Sequence, residues 1–540
     1  MTVDDRIAPD LILYNGKVLT VDSNNRIAEA VAVKDDIIMA VGSSDGIQSL
    51  KGSKTEVIDL EGKTLLPGFI DTHSHPGVAA STFLMINLTS PPISSIKDIL
   101  RMIKEKAGNS LPGAWIQGIN YNQLKLRENR HVTREELDSV APKNPVVITR
   151  LTGHMYVLNT LAMEAAGIDR YTVDPNGGKI DRNENGEPTG LLLGNAGSLV
   201  LDVVPPFTLE QIKWGLRKVF DKYTEWGVTT VHDPGTTAMD MRAYQSLLDE
   251  GVKQVRVQTM MRTHRESPRA TLDEMISLGL SSGFGDKWLR VMSLKIMGDG
   301  TGSGGTAGVY APQNRGDTLG LFMTSPEEIK ELTIKAHEYG IRVSIHSIGD
   351  RAIDVALDAI EEAQRLHPRE DMRHRIEHNS ICTPRQLKRI KELGVSPASS
   401  IGYMYSIGDD YYDNFGPERV RWAHPHKTMK EMGIIAGGNC DYPITDGNPM
   451  IQIYEAVTRK TRTGLVVGPE EAISVSDAIR VYTFNGAYLG KEEKVKGSIE
   501  EGKLADMAVL DEDILSTPSE ELLDIKVIMT IVGGKIHYNK

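Results

Sequence analysis

Two histidines one residue apart, His73 and His75, follow an apolar run in "LLPGFIDTHSHP". On an extended strand residues i and i+2 face the same side, so one divalent ion could take an imidazole nitrogen from each, at roughly 2.0–2.1 Å. His-x-His also arises by chance in loops, and the pair gains weight from where other ligand types fall. His346 in "VSIHSIGD", His378 in "RIEHNS" and Asp441 in "GGNCDYP" each stand where an apolar run meets a polar loop. Lys295 in "SLKIMGDG" ends the run before His346 and alternates with Ser293 and Met297. In a barrel mouth, burial and nearby cations would lower its pKa and free the amine. A free amine can take up carbon dioxide as a carbamate, an oxygen ligand able to bridge two metals.

These residues meet only if the intervening elements bring strand ends together. From Gly227 onward, short apolar runs alternate with amphipathic stretches such as "SPEEIKELTIKAHEYG", which Ser325 and its glutamates cap and Gly340 stops. Strand, helix, strand at this spacing predicts a parallel sheet. About eight or nine candidate strands, "GFIDTHSH" first and "PVVITRLTGH" among them, favour a closed (β/α)8 barrel over an open sheet, with one candidate surplus. The C-terminal strand ends of such a barrel converge on one face. His346 and His378 are 32 residues apart, about one βαβ repeat, and Asp441 lies 63 further on, about two. The ligands then fall on strands one, five, six and eight, with Lys295 on the strand before His346.

Residues 1–66 and 490–540 share a texture of short β-branched runs and tight turns, and are expected to fold together as a β-sandwich. The barrel is expected over 67–489, with an inserted region at about 84–205 over its mouth. Forty per cent hydrophobic and 25% charged residues suit an ordinary globular protein. A net charge of −12 argues against nucleic acid or an anionic membrane as partner. Two cysteines, no basic leader and no long apolar run predict a soluble cytoplasmic protein without disulfides. A homodimer is the default expectation for its assembly.

The motifs "PGFIDTHSHP", "LKIMGDG", "IHSIGDRAI", "IEH" and "CDYP", in this order between two strand-rich ends, resemble the amidohydrolase superfamily, in particular its amidohydrolase-3 branch of YtcJ-like proteins, which includes N-substituted formamide deformylase. The resemblance covers nearly the whole chain. It implies a (β/α)8 barrel with a composite β-sandwich, His73 and His75 on a buried metal, carboxylated Lys295 as bridge, His346 and His378 on a second metal, and Asp441 as ligand and general base. Two zinc ions are the implied cofactor, with manganese, iron or cobalt compatible with the same donors. The implied reaction is hydrolysis of a C–N bond by a metal-bridged hydroxide, in a linear N-formyl or N-acyl amide. A cyclic amide or carbamate, an isomerase or lyase reaction, and a non-catalytic binding protein are the alternatives. "GGNCDYP" departs from the family pattern, which more often has Gly-Ser-Asp, and puts Cys440 beside the base.

Further pocket candidates are His154, in a segment matching one near the substrate in the family, and His232, which ends "TTVHDPG" with Asp233. Asp299, Tyr310 and Arg351 are candidates by adjacency alone. His424 and His426 form a second His-x-His, but Pro425 breaks the strand pattern and they read as a loop. "GDGTGSGG" lacks the ending of a phosphate loop and reads as an active-site loop.

Overall fold

The computed structural model describes residues 5–151, 153–264, 267–314 and 318–540. The chain divides into two compact units, one running through Gly77 and resuming at Val219, the other Val78–Lys218.

The first unit contains an eight-stranded parallel sheet in strict sequence order. Its strands are β1 (Phe69–Asp71), β2 (Val228–Thr236), β3 (Arg256–Arg262), β4 (Leu289–Ile296), β5 (Val343–Ser347), β6 (Arg375–His378), β7 (Ser396–Ser399) and β8 (Gly437–Gly438). The sheet closes on itself: the Thr72 N–H donates to Gly438 O at 3.2 Å, and past the strand ends the Asp441 N–H donates to His73 O at 3.0 Å. The surplus candidate is "PVVITR", whose strand Val146–Arg150 belongs to the other unit.

Alternation along the barrel strands sorts residues by face. Leu294, Ile296, Val343, Ile345 and Ile376 point outward into one apolar cluster with Ile329, Leu332, Ile353, Leu357 and Ile360 of the surrounding helices. Fully burying each such side chain is worth about 1.5–3 kcal/mol. Their neighbours Ser293, Lys295, Ser344, His346, Arg375 and Glu377 are polar yet buried, and fill the interior. Helix Pro326–Glu338 starts on Ser325, whose hydroxyl accepts the Glu328 N–H, and ends before Gly340, held at φ 71°.

Strands from both ends of the chain form the flanking sheets. One has four strands from residues 11–59; the other joins Ile27–Ala28, Lys17–Leu19 and Thr64–Pro67, in that order, to Met507–Leu510, Val527–Val532 and Lys535–Asn539 through the pairing of Thr64–Pro67 with Met507–Leu510. Leu11, Leu13, Val31 and Val33 of the first share a core with Leu65, Met507, Val509 and Ile531 of the second. Arg256 on β3 joins this part to the barrel through a bidentate pair with Asp506, at 2.7 and 2.9 Å.

The Val78–Lys218 unit holds a six-stranded mixed sheet ordered Gly178–Arg182, Pro188–Gly194, Met155–Leu158, Val146–Arg150, Ile116–Tyr121 and Ile86–Asn87. Helix Ile96–Gly108 packs Ile99 and Ile103 into its core. Among the described residues no helix is long and apolar enough to cross a membrane.

Candidate active site

His73 and His75 follow β1, Lys295 lies on β4, His346 on β5, His378 ends β6 and Asp441 follows β8, so all six stand at the C-terminal end of the barrel. Side-chain atoms of His73, His378 and Asp441 lie within 4.8 Å of one another. The His73 and His378 rings are 4.4 Å apart, as are those of His346 and His378, and His75 lies 5.4 Å from His73. Asp441 Oδ1 is 3.0 Å from His75 Nε2 and 3.6 Å from His73 Nε2. The hydrogen bonds that close the barrel between the ends of β1 and β8 bring Asp441 to the two histidines. His378 and Asp441 both hold positive φ, 68° and 56°, a strained backbone for residues with a Cβ and of a kind that clusters at functional sites.

The hydrogen bonds fix which lone pairs are available. His73 donates from Nδ1 to Glu377 Oε2 at 2.6 Å, leaving Nε2 as acceptor. His346 Nε2 is 3.0 Å from the Gly300 carbonyl, which can only accept, so Nδ1 is the free acceptor. The Ser400 hydroxyl donates to Asn439 Oδ1 and therefore accepts from His378 Nδ1 at 2.8 Å, leaving Nε2. Tyr403 donates its hydroxyl to Asp441 Oδ2, while the buried Oδ1, 3.0 Å from His75 Nε2, makes no hydrogen bond among the described residues. The buried Lys295 Nζ has no hydrogen-bond partner among the described residues either. Acceptors converging on one another without protons between them call for a cation, and imidazole with carboxylate is a donor set for first-row divalent ions.

The electrostatics agree with that need. Burial, reinforced by the Lys295 charge, pushes His73 down to about 4 and His346 to about 3, and burial drives His378 well below the ordinary histidine value. All three are neutral near pH 7, as metal ligation requires. Burial pushes Lys295 down to about 8 against the pull of Glu377 and Asp441, so part of the population carries a free amine at neutral pH. Burial alone would raise Asp441, but His75, His73 and Tyr403 outweigh it and hold the carboxyl at about 2.

Beneath this layer lies a buried ionic network that sequence reading left unassigned. Arg375 grips Glu377 with Nε and Nη2 at 2.7 and 2.9 Å, and reaches across the barrel to Thr72 O at 2.7 Å and His232 Nδ1 at 2.9 Å. Burial would raise Glu377, yet Arg375 and His73 hold it below the usual carboxylate range. An anionic Glu377 fixes the tautomer and orientation of His73. The signal in the sequence was Arg375-x-Glu377, two opposite charges on one face of an otherwise buried strand. Tyr403 carried no comparable signal, since its place depends on the kinked helix Gly402–Val420 after β7.

The remaining candidates are dispersed. His232 is buried inside the barrel against Arg375. Asp233 accepts from the Tyr244 and Thr236 hydroxyls at 2.8 and 2.9 Å. Asp299 accepts three backbone N–H groups, from Gly308, Ile348 and Gly349, at 2.8–2.9 Å, and lies 3.5 Å from His346. Arg351 lies over the Phe322 ring at 5.2 Å. Tyr310 is exposed and donates to Asp354 at 3.1 Å, and His154 is an exposed residue of the other unit. His424 stands in a loop but is fully buried, its Nδ1 2.9 Å from Ser399 Oγ, and His426 begins a helix. Cys440 donates its thiol to Asp71 at 2.8 Å rather than to Asp441.

A closed parallel barrel with buried histidines, a lysine and a carboxylate at its C-terminal end defines a class of hydrolase-like barrels. The Amidohydrolase family model matches residues 56–538, and the chain belongs to that family. It is 30% identical to the N-substituted formamide deformylase of Arthrobacter pascens, over 98% of each chain, and 30% identical to the YtcJ protein of Bacillus subtilis (strain 168), over 98% of this chain and 99% of that one. The solved structure of an uncharacterized metal-dependent hydrolase from Pyrococcus furiosus is similar over 94% of this chain and 100% of that one, with 27% identity and a TM-score of 0.78.

Proposed function

We propose that the protein is a metal-dependent hydrolase of C–N bonds whose substrate is a linear N-formyl or N-acyl amide. The observation that carries this reading is the convergence of proton-free imidazole nitrogens from His73, His346 and His378 with the Asp441 carboxylate and His75, beside a Lys295 amine that has no partner among the described residues. His73 and His75 would hold one divalent ion, His346 and His378 a second, Asp441 one of the two, and a carboxylated Lys295 would bridge them. When bound, such ions, zinc in the first instance, supply Lewis-acid polarisation of the scissile carbonyl and acidify a water.

The protein's own groups then handle the proton. Asp441 Oδ1 accepts a proton from the attacking water as the C–O bond forms, and delivers it to the departing nitrogen as the C–N bond breaks, giving formate or another carboxylate and an amine. Tyr403, bonded to Oδ2, keeps Oδ1 turned toward the histidines. Arg375 and Glu377 hold His73 in the tautomer with Nε2 free. The formamide substrate named for the Arthrobacter pascens relative supports the linear-amide class over cyclic amides and carbamates. Assembly as a homodimer and a cytoplasmic location belong to the same proposal.

The test is a screen of N-formyl, N-acetyl and cyclic amides with the zinc- or manganese-loaded protein, followed by mass. Turnover of a formamide with one oxygen taken up from labelled water supports the reading. Turnover without label uptake would make the protein an isomerase or lyase.

A further inference from the structure

The opposite, N-terminal end of the barrel carries a cavity of about 430 Å³, within the range of small-molecule sites. It is formed around the strand beginnings by residues that include Gln258, Arg290, Arg342, Arg369 and Lys491, and among the described residues no acidic side chain lines it. Two lining glycines lie beside guanidinium groups: a Cβ on Gly283 would fall 3.1 Å from Arg290 Nη2, and one on Gly340 3.7 Å from Arg369 Nη1.

The positive charge here is poorly matched. Arg342 is buried and donates only to carbonyls among the described residues, to Arg373 O at 3.1 and 2.6 Å and Leu489 O at 3.0 Å. Arg369 donates to Glu338 O at 2.5 Å, with no carboxylate partner among the described residues. Arg290 and Lys491 have loose carboxylate contacts, with Glu492 at 3.6 Å and Asp371 at 3.7 Å, and Asp371 and Glu493 are engaged more closely by Arg373, at 2.6 and 3.0 Å. Burial, with the Arg375 and Arg373 charges, pushes Arg342 down, the mark of a cation lacking a counter-ion. A buried guanidinium is costly until an anion meets it. Gln258 adds a complementary feature: its Nε2 donates to Glu492, while its buried Oε1 has no partner among the described residues, so the wall offers one acceptor among its donors.

We propose that this basal cavity binds a phosphate group, either as inorganic phosphate or on a small phosphorylated metabolite. Arginine forks match the tetrahedral oxygens of phosphate bidentately, a dianion answers several cations at once, and a hydroxyl on the phosphate or its carrier can donate to Gln258 Oε1. The site is separate from the amide-hydrolysis reading and does not depend on it.

The test is calorimetric titration of the metal-loaded full-length protein with inorganic phosphate and, separately, with phenyl phosphate. Because a metal centre also attracts phosphate, three variants accompany the wild type. Arg369→Ala, at an exposed position compatible with folding, should weaken binding by about 10-fold. His346→Ala, at the other end of the barrel, should retain this binding while losing any held by the metal centre, and Arg342→Met should abolish the component that His346→Ala retains. Tighter binding of phenyl phosphate would identify a phosphorylated metabolite, and tighter binding of inorganic phosphate the free anion. Absence of binding in the wild type, unchanged affinity in Arg369→Ala, or loss of all phosphate binding in His346→Ala would each overturn the proposal.

Discussion

Two buried ionic clusters sit in the first unit, and they differ in what they leave unfinished. At the joint between β3 and the sandwich, Arg256 and Asp506 satisfy each other completely. Asp506 takes two N–H groups from the guanidinium and one from Gly533, Arg256 donates again to Lys287 O, and the guanidinium lies 4.1 Å over the Trp288 ring. At the barrel mouth, Glu377 and Arg375 are equally well paired, but the layer above them ends in atoms that have no hydrogen-bond partner among the described residues, Lys295 Nζ and Asp441 Oδ1. A cluster built for stability closes its hydrogen bonds; one built for chemistry leaves lone pairs aimed at a common point.

Substitutions separate the two. Asp441→Asn keeps the shape of the site and removes the proton acceptor, so kcat should fall about 10²- to 10⁴-fold with the melting temperature little changed. Retained turnover on a substrate found by the amide screen would remove Asp441 from the chemistry. Arg256→Ala should do the reverse: an unpaired Asp506 costs about 3–5 kcal/mol in denaturant unfolding, while kcat per folded molecule stays at the wild-type value.

Glu377→Gln has an intermediate effect, since it weakens the grip on His73 without removing a ligand. Metal affinity should drop about 10- to 100-fold in a competition titration with a chelator, and an unaltered affinity would reduce Glu377 to packing. The smallest effect concerns pH. Arg256 holds Asp506 below its ordinary value against the opposing effect of burial, so the stability this pair adds is fully present above the normal carboxylate range, around pH 4, and is lost as pH falls through the depressed folded value. Acid unfolding curves should show that loss in the wild type and lack it in Arg256→Ala.

The sequence reading reached the strands and the ligand-type residues because both follow local rules. Apolar runs ending in His346, His378 or Asp441 mark strand tips, and parallel strands in sequence order need only barrel closure to bring those tips together. Tyr403 and Ser400 escaped because their positions come from a loop and a kinked helix, whose path no short-range pattern sets. Glu377 escaped for another reason: in "RIEH" the eye goes to the histidine at the strand end, whereas the alternation that buries Arg375 beside Glu377 was open to reading. Residues singled out by adjacency fared differently from one another. Asp299 binds backbone N–H groups beside His346, while Tyr310 faces solvent against Asp354.

The central claim, that the mouth is a centre for two divalent ions, is tested most directly by elemental analysis of the purified protein and its Lys295→Ala variant. The account predicts two divalent ions per chain in the wild type and one or fewer in the variant. Far less than one ion per chain in the wild type, or an equal content in both proteins, would contradict it.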